Sequence, residues 1–252
     1  MRALGLPGTT ERTHVGFMGC YAAFQGFKLA RSICRSDPDA VVLVLSVELC
    51  SLHLQFNEEP DDLIAGAVFA DGASGALISA RPQDLSSLPM GHPVLELLSL
   101  HGELVPEGED AMAWTIGSEG FRMKLSTYVP ELIRTHLPPI LGDILDESDL
   151  DRDAIAWWAI HPGGRAILDK VQEELALRDE QIAASRAVLR SHGNMSSATI
   201  LHVMKGVLER GGAGSNARAG DRVFAMAFGP GLTIESGLFR VVLNEGARGG
   251  GG

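Results

Sequence analysis

The sequence predicts a layered α/β fold assembled from two similar halves, the first of them incomplete, and three observations lead to it. Ala40 to Val47, rich in Val and Leu, and Ile155 to Ile160 are short apolar runs, the mark of strands buried on both faces of a sheet. Segments with apolar residues at helical spacing alternate with these runs. A unit also recurs: Cys20 opens a helix that leads through a polar loop to the strand at Val41 to Val47, and Asn194 opens a helix, a polar loop and a strand at Val223 to Phe228. Two such copies would bring the side chains at the two helix starts together near a pseudo-twofold axis.

Tyr21 to Arg35 carries Phe24, Phe27 and Ile33 at roughly helical spacing, and Ser36-Asp37-Pro38-Asp39 stops that helix before the first strand. A polar stretch, Asn57 to Asp62, precedes Leu63 to Ser79, whose Gly-rich apolar sequence predicts strand and turn. Residues 81–93 are expected as an exposed loop, and the alternation from Val94 to Leu104 predicts a further strand. Val129 to Leu145 reads as helix interrupted at Pro138-Pro139. The buried strand Ile155 to Ile160 ends at His161-Pro162-Gly163-Gly164, and Ala166 to Leu177 and Asp179 to Arg190 follow as helices. A helix is then expected from about Met195 to Glu209, a Gly-rich loop over Gly211 to Gly220, and the strand Arg222 to Phe228.

Composition narrows the function. The 252 residues are 45% apolar, enough for a sizeable core. A formal net charge of −11 without a Lys/Arg cluster argues against a nucleic-acid surface. The start, MRALGLPGTTERTH, lacks the apolar core of a secretory signal, and the longest apolar stretch is too short to cross a bilayer. A soluble cytoplasmic protein without nucleic-acid or membrane partners is expected. Three widely spaced cysteines, Cys20, Cys34 and Cys50, suit neither a disulfide framework nor a zinc finger.

Three residues could carry chemistry. Cys20 stands directly before a helix, whose unpaired N–H groups and positive end favour the nucleophilic thiolate; a small apolar residue capping a core helix fits the same position. His161 follows a strand, at the sheet edge where α/β folds assemble their sites. It could take the thiol proton and later donate to an oxyanion, or simply be hydrogen-bonded in a loop. Asn194 suits an N-cap, and its amide could equally be a second oxyanion donor. Together a Cys, a His and an Asn at strand or helix ends form a plausible nucleophile, base and oxyanion pair.

Four blocks resemble the active-site signatures of type III polyketide synthases, the chalcone synthase-like family. They are Gly19-Cys20-Tyr21-Ala22-Ala23; His161-Pro162-Gly163-Gly164 with Ala166-Ile167-Leu168-Asp169; Gly193-Asn194-Met195-Ser196-Ser197-Ala198; and Phe228-Gly229-Pro230-Gly231-Leu232-Thr233. They occur in the family's order, and the resemblance runs from about Leu4 to Leu243. It implies a thiolase-like αβαβα layered fold with duplicated halves. Residues 1–92 would be a partial N-terminal half carrying the nucleophile, 93–246 the C-terminal half, and 247–252 a disordered Gly-rich tail. It further implies Cys20 as nucleophile and acyl carrier, with His161 and Asn194 as donors to the thioester carbonyl and to an enolate made by decarboxylating malonyl-CoA. Phe69 matches the family's gatekeeper phenylalanine, while Met123 stands where the second gatekeeper is aromatic, with Phe121 close by. Cys50, Leu52 and His53 fall at cavity-lining positions, and Gly163 and Ala166 join the substrate-binding set; Cys34 reads as helix core. Acyl-CoA and malonyl-CoA are the implied partners, with no cofactor beyond these coenzyme A thioesters, and a homodimer is the implied assembly. Family members carry a long further segment ahead of the cysteine block, so the first half-sheet here is expected to expose an edge and apolar surface.

Asp143 to Asp153 is acidic but lacks the glycine and terminal glutamate of a calcium loop. Gly211 to Ser215 is followed by no Lys-Ser/Thr, unlike a phosphate loop. No histidine pair has metal-ligand spacing, so no metal site is expected. Two rival readings stay open: a ketoacyl synthase III-like enzyme, and an inactive remnant or assembly subunit that keeps the motifs.

Overall fold

A computed structural model of the chain describes residues 5–55, 60–118, 120–126, 128–209 and 217–244. The expected Gly-rich tail lies outside these residues, as do most of the Gly211 to Gly220 loop and part of the Asn57 to Asp62 stretch. The elements in chain order are α1 (Ala22–Ser36), β1 (Val41–Glu48), α2 (Pro60–Val68), β2 (Gly72–Ser79), α3 (Pro82–Ser86), β3 (Pro93–Leu104), β4 (Met112–Gly117) and β5 (Gly120–Leu125). There follow α4 (Val129–Glu147), β6 (Ile155–Ile160), α5 (Arg165–Glu174), α6 (Asp179–His192), α7 (Ala198–Leu208), β7 (Arg222–Gly229) and β8 (Thr233–Leu243).

A four-stranded sheet of order β3-β8-β7-β6 forms the centre, with β6 parallel to β7 and the other pairs antiparallel. Period-2 alternation divides its side chains between two cores. Trp158, Ile160, Phe224, Met226, Phe228 and Leu238 pack with α4 and α5 on one face. Ala159, Val223, Ala225, Ala227, Phe239 and Val241 pack with α1 and α7 on the other. On the far side of α1 and α7 lies a second sheet, the antiparallel pair β1–β2. The duplication is visible here, because α1–β1–β2 and α7–β7–β8 are both a helix followed by an antiparallel strand pair, and the two helices share the middle layer. Four layers, αβαβ, are present among the described residues. They are those of the expected fold without its outermost helical layer. Within the same residues no helix is long and apolar enough to cross a membrane.

Several expectations need correction. Strand β1 is buried on one face only: Val44 and Ser46 face the helices, while Val41, Leu43, Leu45 and Val47 are exposed, Val47 at 65%. The cause is that nothing in the described residues covers the outer face, whose apolar surface continues onto Leu77, paired with Leu43. Leu63 to Val68 is helix rather than strand, opened by Pro60 at a first-turn position where its missing N–H costs nothing. The loop over residues 81–93 contains the short helix α3, again with a proline in its first turn.

Helix α4 runs uninterrupted through Pro138-Pro139. An interior proline costs about 3 kcal/mol. Seven buried apolar side chains, from Val129 to Leu145, each stabilise by about 1.5–3 kcal/mol, and that burial keeps both halves of the helix on the core. Helix α7 begins at Ala198 with Ser197 as its N-cap, so Asn194 is not a cap residue. The β4–β5 hairpin and β8 were not anticipated.

Candidate active site

Cys20 sits in a 3₁₀ turn, Gly19–Tyr21, that runs straight into α1. The turn needs glycine before the cysteine: Gly19 has φ 63°, and a Cβ there would lie 2.6 Å from the Pro230 ring. Pro230 belongs to the loop between β7 and β8, so this close approach seats the nucleophile's turn against the second half of the chain.

His161 leaves the end of β6 and stays tied to the sheet by donating its N–H to the Met226 carbonyl at 2.7 Å. Its ring is fully buried, and neither ring nitrogen has a hydrogen-bond partner. Asn194 is fixed on both sides of its backbone: its N–H donates to the Val68 carbonyl and its carbonyl accepts from the Ala70 N–H, each at 2.9 Å. This parallel bridge holds Phe69 beside it. The Asn194 carboxamide is oriented as well, since Oδ1 accepts from the Ser196 N–H at 2.9 Å while Nδ2 points to the Gly163 carbonyl at 3.4 Å.

One cavity of about 400 Å³ brings Cys20, His161 and Asn194 together, and Phe69, Met123, Cys50, His53 and Gly163 line it too. Two expected residues do not. Leu52 lies in the 3₁₀ turn Cys50–His53 but faces outward at 74% exposure, because in that tight turn its neighbours Cys50, Ser51 and His53 take the inward positions. Ala166 is exposed in the first turn of α5, and Ile167, one helical turn beyond Gly163, lines the wall instead. Cys34 is buried helix core as expected.

Sequence reasoning missed the contribution of the β4–β5 hairpin. Trp114 stands directly opposite Met123, and its ring meets His53 at 4.9 Å and Phe121 at 5.6 Å. Phe17, just before the nucleophile's turn, extends this aromatic wall by packing on Phe121 at 5.4 Å. The signal was the pair of short alternating segments around Gly117 and Gly120, a hairpin pattern. Also missed was Glu48 at the end of β1, which lines the cavity and accepts hydrogen bonds from the Ser197 hydroxyl and N–H.

The cavity's electrostatics follow from the burial of its groups. Burial pushes the Cys20 thiol up to about 12; hydrogen bonds from Ser196 and Asn194 pull it down, and Glu48 and Cys50 push it up. Burial likewise raises Cys50 to about 11, with Glu48 and Asp71 adding to the effect, and lowers His161 to about 3. Burial thus opposes the thiolate that the helix start favours, and it favours the neutral form of both groups. Among the described residues no group of three or more His, Cys, Asp or Glu is arranged to hold a metal ion.

Comparison with known proteins agrees with this architecture. The family model described as chalcone and stilbene synthases, C-terminal domain, matches residues 96–243, and that of the N-terminal domain matches residues 1–82. The chain is 34% identical over 237 residues to the 1,3,6,8-tetrahydroxynaphthalene synthase of Streptomyces peucetius subsp. caesius, covering 94% of this chain and 61% of that protein. It is 32% identical over 242 residues to a putative chalcone synthase of Bacillus subtilis (strain 168), covering 95% and 64%. Among solved structures, PKS-I of the brown alga Ectocarpus siliculosus superposes with a TM-score of 0.84 at 33% identity, covering 96% of this chain and 63% of that one. The chain thus spans somewhat over three fifths of the length of these relatives. With family models matching both segments and the site's residues in one cavity, the chain belongs to the chalcone and stilbene synthase family.

Proposed function

We propose that this chain carries the condensing centre of a type III polyketide synthase, an acyltransferase that joins an acyl-CoA starter to units from malonyl-CoA. The observation that carries the reading is the convergence of a thiol, an unpartnered neutral imidazole and an oriented carboxamide on one cavity of about 400 Å³. Cys20 gives its proton to a ring nitrogen of His161, and the sulfur attacks the thioester carbonyl. The oxyanion accepts hydrogen bonds from His161 and from Asn194 Nδ2, a type of donor worth about 3–4 kcal/mol each. Coenzyme A leaves as the thiol. Malonyl-CoA then loses carbon dioxide, the same two donors hold the enolate, and its carbon attacks the Cys20 thioester, which releases the thiolate. Phe69, Met123, Cys50, His53 and Gly163 would line the acyl-binding space.

The reading brings with it coenzyme A thioesters as partners, no further cofactor, a homodimer and a cytoplasmic setting. It also divides the chain into a partial first half, 1–92, and a second half, 93–246. A second reading, an assembly subunit without turnover, is favoured by the bare outer face of β1–β2. Incubation with acyl-CoA followed by intact mass separates the two. The condensing reading expects an added acyl mass on the chain that is lost in Cys20→Ser; no adduct with short, long or aromatic acyl-CoA would overturn it.

A further inference from the structure

Glu48 is the last residue of β1, and its partner across the strand pair is Gly72. Both meet the turn that carries the chain from Asn194 into α7. A Cβ on Gly72 would lie 2.4 Å from Met195 Sδ, so the bare backbone of β2 lets Met195 close against it. Two residues on, Ser197 donates both its hydroxyl and its N–H to Glu48 Oε1, the N–H at 3.3 Å. Ser197 is the N-cap of α7 and makes no side-chain cap bond of its own. The Glu48 carboxylate therefore serves the helix start from the neighbouring sheet, where a cap residue would act from within the chain. The positive end of α7 stabilises its charge in return. That accounts for an acid on the wall of a cavity whose described lining contains no Lys or Arg.

The residue between these two anchors is strained. Ser196 has φ 48°, a left-handed backbone that disfavours serine and persists only where its surroundings over-determine it. Its N–H, so held, donates to Asn194 Oδ1 at 2.9 Å. The bridge to Val68 and Ala70 holds only the Asn194 main chain. The direction of its amide is left to the Ser196 N–H and to a longer contact, 3.4 Å, with the Gly163 carbonyl.

We propose that Glu48 is a positioning residue for acyl transfer: by gripping Ser197 it keeps the strained Ser196 turn closed, and through that turn it keeps the Asn194 amide aimed at the oxyanion. This rests on the reading of Cys20 as nucleophile. In that step the Cys20 S–H bond breaks and the proton passes to His161. A bond forms from sulfur to the acyl carbon, the bond from that carbon to the coenzyme A sulfur breaks, and coenzyme A leaves with the proton that His161 held. Glu48 makes no bond to the substrate and takes no proton.

The test is the rate of acyl-adduct formation on the full chain, followed by intact mass across acyl-CoA concentration. Glu48→Ala should lower the saturating rate by about ten- to a hundredfold. The half-saturating concentration should stay within about twofold, since the loss falls on the transition state. Glu48→Gln, whose amide oxygen can still accept from Ser197, should recover most of the rate. Ser197→Ala removes only the hydroxyl partner and should slow the reaction in the same way, so the matter is decided even where Glu48→Ala folds poorly. In an Asn194→Ala background, Glu48→Ala should cost less than about twofold more, because the group it aims is gone. An equal cost in both backgrounds overturns the positioning role and leaves Cys20 as nucleophile intact, as does a Glu48→Ala or Ser197→Ala rate equal to the parent's. A parent chain that takes no acyl group from any acyl-CoA overturns the condensing function, and the role of Glu48 falls with it.

Discussion

Gly19→Ala is the sharpest test of how the nucleophile is held. The left-handed backbone at φ 63° costs a residue with a Cβ about 1–2 kcal/mol. The added methyl would also lie 2.6 Å from the Pro230 ring, and such overpacking costs about 1–3 kcal/mol. The sum, about 2–5 kcal/mol, corresponds to a fall of about 4–20 °C in thermal midpoint for a chain of this length. Relief of the clash must move either the Pro230 loop or the turn bearing Cys20, and a misplacement near 1 Å costs on the order of a hundredfold in rate. Thermal unfolding and the rate of acyl-adduct formation read the two effects. Gly142→Ala is the control of opposite sign: it lies inside α4, and its added Cβ meets nothing within 4 Å, so it should stabilise by up to about 1 kcal/mol through helix propensity. A Gly19→Ala chain that melts within about 2 °C of the parent, against the loss estimated above, and takes up acyl groups at the parental rate would refute the account.

Three further outcomes are expected. His161 has a folded pKa lowered from 6.5 to about 3, so the unfolded chain binds the extra proton between those values and stability falls as pH drops through that window; urea melts at pH 7 and pH 5 should show the parent losing about 2 kcal/mol more than His161→Gln, and equal losses would contradict the burial argument. Trp114→Ala removes the ring packed on His53 and Phe121, so in competition by intact mass bulkier acyl-CoA thioesters should gain on short ones; an unchanged ratio would remove Trp114 from the wall that limits size. Leu45→Lys, on the bare face at 61% exposure, should change stability by no more than about 0.5 kcal/mol and lessen light scattering on concentration, whereas a large destabilisation would mean that this face is covered.

What the sequence revealed, and what it hid, divides along burial. Strands β6 and β7 were legible because both of their faces are covered, so their residues read as unbroken apolar runs. Strand β8 is just as deeply buried but was invisible, because Glu235 interrupts it. That carboxylate is tolerated inside because Gln25 Nε2 and Lys28 Nζ reach it at 2.7 and 2.6 Å, and Gly102 leaves the room: a Cβ there would sit 2.5 Å from Glu235 Oε1. No local pattern shows a partner about two hundred residues away. The site was legible at Cys20, His161 and Asn194 because each sits in a compact motif with its own glycine. Trp114 was hidden because it belongs to a half-exposed hairpin whose importance lies only in what it covers.

Burial also determines how the centre can work. Burial raises the Cys20 thiol to about 12 and lowers the His161 imidazole, which lines the same cavity, to about 3, so free Cys20 should be slow toward alkylating and oxidising agents. Reactivity has to arise when an acyl thioester enters, because only then does the proton leaving sulfur accompany the formation of a carbon–sulfur bond and of an oxyanion that His161 and Asn194 can hold. The burial that lowers the resting nucleophilicity of Cys20 is also what strengthens those hydrogen bonds. A polar substitution that lets water in should therefore quicken alkylation of Cys20 and slow its acylation, two changes of opposite sign that a merely damaged fold would not produce together.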